Sequence, residues 1–203
     1  MKKFLLACAL TCAFTATAQA ELVANIPLDV SRFEIMDASN LAYHAQNGNA
    51  HAQFFLAKRL QRGENMTKDT KNAAYWYGRA AEQNAAPAML NLGIMYLKGE
   101  GVTADKQKAR QWLEKAAHLG ENRASFALAI LDEREQRLVD AYKWYELSAR
   151  EVMLKDDIKN AAKNKIGQLA LNLSSSEIAK AKEEANAWFQ NCLLYTSDAA
   201  DER

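Results

Sequence analysis

Residues 98–109 read Lys98-Gly99-Glu100-Gly101-Val102-Thr103-Ala104-Asp105-Lys106-Gln107-Lys108-Ala109. Within them, Gly99 to Ala104 fit G-x-G-x-x-A, the glycine pattern of a dinucleotide-binding turn, and Glu121 follows at about the spacing of a ribose-contacting acid. The pattern holds a pyrophosphate only when a strand leads into it and a βαβ unit surrounds it. What encloses this loop therefore decides the fold class.

The surroundings are a repeat. Shifted on itself by 36 residues, the chain places Ala52, Leu56, Leu60 and Gly63 on Ala88, Leu92, Tyr96 and Gly99. Asp69, Ala73, Trp76, Ala80 and Ala81 fall on Asp105, Ala109, Trp112, Ala116 and Ala117. A third copy continues through Ala124 and Leu128 and then loses four residues, so that Ala141, Trp144, Ser148 and Ala149 lie 32 after their counterparts.

Each unit reads as two helices. Ala88, Leu92 and Tyr96 form one stripe, flanked by Met89 and Gly93, with Pro87 in the first turn, where a missing amide proton costs nothing. Ala109, Trp112, Leu113, Ala116 and Ala117 form the second stripe, and Gly120 stops the helix. Small alanines should let the helix backbones approach, with Trp76, Trp112 and Trp144 filling the wider gaps. One helix pair cannot bury its apolar face alone, so the units must stack. The fold class is all-α: a solenoid of antiparallel helix pairs with capping helices at both ends.

The loop at 99–101 corresponds to Gly63-Glu64-Asn65 one repeat earlier. Glycine and asparagine enter the left-handed backbone region most readily, so the copies share a turn and not a phosphate cradle. Asp69 and Asp105 follow as helix N-caps.

The pattern from Ala88 to Ala117 resembles the Sel-1-like repeat, a relative of the tetratricopeptide repeat. It is carried by Leu92, Gly93, Tyr96, Gly99, Gly101, Val102, Asp105, Lys108, Ala109, Trp112, Lys115, Ala116 and Ala117. The first copy departs from it at Ala57, Leu60 and Asn65, and the third lacks the loop glycines. The resemblance implies a non-catalytic adaptor that binds other proteins. The alternatives are a hydrolase acting on cell-wall material or β-lactams, the latter an activity linked to some relatives, and a structural part of an envelope machine such as a flagellar motor, as some exported relatives are. The hydrolytic relatives are cysteine-rich, and their paired cysteines are missing here.

Residues 1–20 combine a Lys2-Lys3 start, an apolar run from Phe4 to Phe14 and an Ala18-Gln19-Ala20 exit, the layout of a cleavable signal peptide. The mature chain should begin at Glu21 and work in the periplasm or outside the cell. Leu5-Leu6-Ala7-Cys8 sits too near the start for a lipoprotein box. Residues 21–49 form an N-terminal cap, helical around 40–46 and closed by Gly48. Three repeats occupy 50–85, 86–121 and 122–150. A C-terminal cap at 151–191 carries helical spacing from Asp156 to Leu173, a capping box at Ser174-Ser175-Ser176-Glu177, and then Ile178, Ala181, Ala185 and Trp188 on one face. The last stretch, Cys192 to Arg203 (CLLYTSDAADER), resembles the translation of a transposon adaptor used in sequencing libraries. It is expected to lie outside the fold, with the helix ending at Asn191.

The charge balance, +1, argues against nucleic acid and anionic lipid as partners, and no later segment is apolar enough for membrane insertion after signal cleavage. H-E-x-x-H, C-x-x-C, G-x-S-x-G, S-x-x-K and P-loop patterns are all missing, so neither a catalytic site, a metal nor a cofactor is expected. Gly48 separates His44 from His51, and His118 falls in a last helical turn, where a cation suits the dipole. One column points to a protein partner. Arg62, Lys98 and Arg134 recur 36 residues apart at the ends of first helices, beside Phe55, Arg59, Asn91, Met95 and Leu131. Such a ladder would grip an acidic or extended partner along the groove. Leu90, Ile94, Leu97, Phe126 and Ile130 are assigned to packing between repeats.

Overall fold

The computed structural model describes residues 28–150 and 156–201. The signal segment and the first residues of the N-terminal cap lie outside them. The described residues form helices and turns, with no strand among them. Helix α1 (Leu28–Ile35) belongs to a short unit ending at Asp37, where the Arg32 guanidinium lies over the Phe33 ring.

The second unit begins at Ala38. Helix α2 (Ala38–Gln46) packs on α3 (Ala50–Arg62), which pairs with α4 (Thr70–Ala81) as repeat one. Repeat two is α5 (Ala86–Lys98) with α6 (Lys106–His118), and repeat three is α7 (Asn122–Arg134) with α8 (Leu138–Ser148). Contacts are most extensive within pairs, while α4 against α5 and α6 against α7 join successive repeats. This is the stacked, all-helical solenoid that the periodicity demands.

The turns follow the sequence closely. Gly63 and Gly99 close α3 and α5 at φ 73° and 68°, and Asn65 and Gly101 sit at φ 59° and 73°. Asp69 and Asp105 cap the second helices, each side chain accepting the backbone N–H three residues on at 3.0 Å. That amide, that of Asn72, holds the Asp69 carboxyl below the usual carboxylate range. Gly93 marks the closest helix approach: a Cβ there would stand 2.8 Å from Leu113 Cγ and 3.2 Å from the Ala109 carbonyl oxygen. In repeat three the seven-residue loop shrinks to residues 135–137, and Gln136 takes the left-handed position at φ 60°.

The aromatic packing differs from expectation. Trp144 is buried, but Trp76 and Trp112 are only half-buried. The fully buried column lies one residue later, at Tyr77, Leu113 and Tyr145. Trp76 and Trp112 therefore point toward the edge of the helix pair, and the next residue fills its centre. Tyr77 donates to Gln61 Oε1 at 3.1 Å and Tyr145 to Glu133 Oε2 at 2.8 Å, at equivalent places in repeats one and three. Repeat two puts Leu97 and Leu113 there.

Helix α9 (Asp156–Ala170) and α10 (Ser175–Asp201) both pack on α8. Ser174 and Glu177 form the expected reciprocal cap, with the Ser174 N–H donating to Glu177 Oε2 at 2.8 Å and the Glu177 N–H to Ser174 Oγ at 3.3 Å. These bonds hold the Glu177 carboxyl below its ordinary range. Ala181 and Ala185 are buried, with Ile178 and Trp188 packed beside them. The helix does not stop at Asn191 but runs to Asp201. No glycine or proline interrupts that stretch.

Candidate partner-binding surface

Of the eight residues proposed to meet a partner, four are internal. Phe55, Arg59, Met95 and Leu131 are 0–6% exposed. First helices lie between their own partner helix and the preceding repeat, so their apolar stripe wraps further round than one face. These four pack the solenoid, although an edge of Leu131 lines a small slot between repeats two and three. Asn91 turns back on its own helix, Nδ2 donating to the Pro87 carbonyl at 2.9 Å.

The three cations do reach solvent, at equivalent helix ends. Arg62 pairs with Glu64 at 3.2 Å, an exposed contact of little energetic weight. Lys98 and Arg134 have no ion-pair partner among the described residues. Arg134 stands at the rim of a slot of about 200 Å³, walled by Leu97, Ala127, Ile130 and Leu131 and edged by Lys106 and Glu135. Lys98 follows directly on Leu97.

A larger cleft, about 620 Å³, opens where α4, α5, α6 and α10 meet. Met89, Trp112 and Leu119 supply its apolar lining, and the Lys115 ammonium lies 4.6 Å from the centre of the Trp112 ring. His118 beside it does not act as an exposed helix-end cation. Its ring stacks on Trp188 of α10 at 3.8 Å, and burial lowers its pKa, which favours the neutral imidazole. Trp188 also meets Trp144 edge-on at 4.8 Å, tying the C-terminal helix to repeats two and three.

A cluster unread in the sequence occupies the join of repeats two and three. Asp132, 1% exposed, replaces the Leu60 and Tyr96 of earlier copies. Its Oδ1 accepts from Arg110 at 2.5 Å and from Arg137, while Oδ2 has no partner. Glu135 accepts from Arg137 at 2.5 Å and lies within 3.7 Å of Arg110. Glu114 nearby has its pKa raised by burial, an effect the Arg110 charge opposes. These are crosslinks between helices. Among the described residues no group of histidines, cysteines and acids is placed to hold a metal, and no helix is long and apolar enough to cross a membrane.

The Sel1 repeat family model matches residues 50–84, 86–121 and 136–151. The chain is a Sel1-like repeat protein. The third match begins at Gln136, within the shortened loop, and leaves out the first helix of that copy. Among solved structures, a protective antigen of uropathogenic Escherichia coli with an SLR fold aligns at 27% identity and a TM-score of 0.57, over 70% of this chain and 34% of that one. A Sel1 repeat protein from Oxalobacter formigenes aligns at 23% identity and 0.58, over 72% of this chain and 60% of that one. The chain thus spans about a third and three fifths of these two. No curated protein matches it. Sel1 repeat proteins are in general non-catalytic scaffolds for protein–protein interaction.

Proposed function

We propose that this Sel1-like repeat protein is a non-catalytic periplasmic adaptor. In this reading it holds a partner protein along the face where α3, α5 and α7 end. The observation that carries it is the set of exposed cations Arg62, Lys98 and Arg134 at equivalent helix ends, beside an apolar slot at the third. Cations in a last turn also suit the helix dipole, so the decisive test separates binding from stability. Crosslinked capture from the native periplasm is compared between the wild type and the variant Arg62→Gln, Lys98→Gln, Arg134→Gln. The proposal expects capture of a defined partner to fall sharply while helicity and melting hold. Unchanged capture with slightly lower stability refutes it. Turnover of cell-wall fragments or a chromogenic β-lactam by the mature chain, abolished by one polar substitution, refutes the non-catalytic reading. An N-terminus at Glu21 in the periplasmic fraction is the expected mark of location.

A further inference from the structure

The joins between repeats are not sealed alike. At the first, loop 99–105 closes the seam: Gly101 lies so near α4 that a Cβ would come 2.1 Å from the Thr70 carbonyl oxygen. Glu100 of the same loop accepts from Gln61 Nε2 at 3.4 Å. One repeat on, Thr70 becomes Lys106 and Gln61 becomes Leu97. The loop that should cover them has lost four residues, and the slot between Leu97, Lys106, Ile130 and Leu131 lies open at that place.

The rim of the slot carries positive charge. Glu135, its one acid, is already engaged by Arg137 and Arg110 and stands 3.5 Å from Lys106. Arg134 on the rim has no counter-ion among the described residues, nor has Lys98, which follows the slot residue Leu97 in sequence. At about 200 Å³ the slot lies below the roughly 300–1,000 Å³ of small-molecule clefts and suits a single large side chain.

We propose that this slot takes an extended segment of a partner protein, one aliphatic side chain seated against Leu97 and Ile130 with flanking carboxylates on Lys98 and Arg134. The segment stands where the missing loop stood in the earlier repeats. This inference rests on the adaptor reading and gives it a partner chemistry.

The test uses fluorescein-labelled Glu-Asp-Leu-Asp-Glu, followed by anisotropy against the mature protein. Saturable binding is expected. It should weaken at least about tenfold when the peptide leucine becomes alanine, in the protein variant Lys98→Glu with Arg134→Glu, and in Ala127→Trp, which fills the slot. Circular dichroism shows that each variant is folded, and an unfolded one is replaced by Ala127→Leu. No saturable binding, equal binding of Lys-Lys-Leu-Lys-Lys, or indifference to the folded variants overturns the proposal. A photocrosslinking residue at Ala127, with another at exposed Tyr75, separates the two levels. Partner crosslinks at Tyr75 alone leave the adaptor standing and remove the slot, whereas none at either position removes both.

Discussion

Replacing Gly101 with alanine measures how tightly the first repeat join is sealed. Two costs overlap at this residue and can be parted by comparison with Gly120. Both are left-handed, at φ 73° and 79°, which costs an alanine about 1–2 kcal/mol. Part of that is offset, by about 0.4–1 kcal/mol, because alanine narrows the unfolded ensemble. A Cβ on Gly120 meets nothing within 4 Å, so Gly120→Ala should cost about 1 kcal/mol and no more. At Gly101 the new carbon would lie 2.1 Å from the Thr70 carbonyl oxygen and 2.4 Å from its carbon. Both are backbone atoms, so no side-chain rotation relieves the clash, and overpacking adds about 2–3 kcal/mol. Gly101→Ala should therefore cost about 3–4 kcal/mol. Urea titration of the mature chain, followed by circular dichroism at 222 nm, reads both variants. If they fall within about 0.5 kcal/mol of each other, the loop is not pressed on α4 and the reasoning fails.

Leu113→Ala should destabilise by about 2–5 kcal/mol, whereas half-buried Trp112→Ala should cost visibly less; the reverse order in urea would restore the tryptophan to the core. Asp132→Asn should cost about 2 kcal/mol by weakening charged hydrogen bonds, against under about 0.5 for the half-buried Asp140→Asn, read as the difference in unfolding free energy. Burial raises the pKa of Tyr77 and Tyr145, with Glu133 adding to the rise at Tyr145. The neutral phenol is therefore the stabilised form: its contribution is whole below the unfolded value near 10 and is lost as pH rises beyond it. Unfolding midpoints should drop above about pH 10, and less so in Tyr77→Phe with Tyr145→Phe. Equal alkaline sensitivity would show that other groups control it.

The period, the helix pairs and the turns were legible because they depend on local chemistry. Gly63, Gly99 and Gly101 need left-handed backbone, and Asp69 and Asp105 need an amide to accept, whatever surrounds them. Burial was less legible. Spacing places a stripe on a helix but not its angular width, and a helix clasped on two sides hides residues such as Phe55, Met95 and Arg59, which a one-sided reading leaves at the surface. The tryptophan column failed for a related reason: Trp112 and Leu113 both belong to the stripe, and only the tilt of one helix on the other selects which is central. Asp132 with Arg110 and Arg137 could not be read at all. It lies where the third copy departs from the other two, so the repeat pattern does not point to it, and its partners come from another helix and from the shortened loop. His118 had a plausible local role, until Trp188, 70 residues away in sequence, covered it.

Repeats built on one template carry a hazard that unique sequences avoid, since a helix has more than one acceptable mate. The tyrosine hydroxyls guard against it. Were α3 to pair with α6 during assembly, Gln61 would face Leu113 and lose the phenol that satisfies it; were α5 to pair with α4, the Tyr77 hydroxyl would be shut against Leu97. Each stranded polar group costs about 1–3 kcal/mol. Alternating polar and apolar mates thus act as a parity code along the stack, so that a slip by one repeat is penalised and only a slip by two would pass.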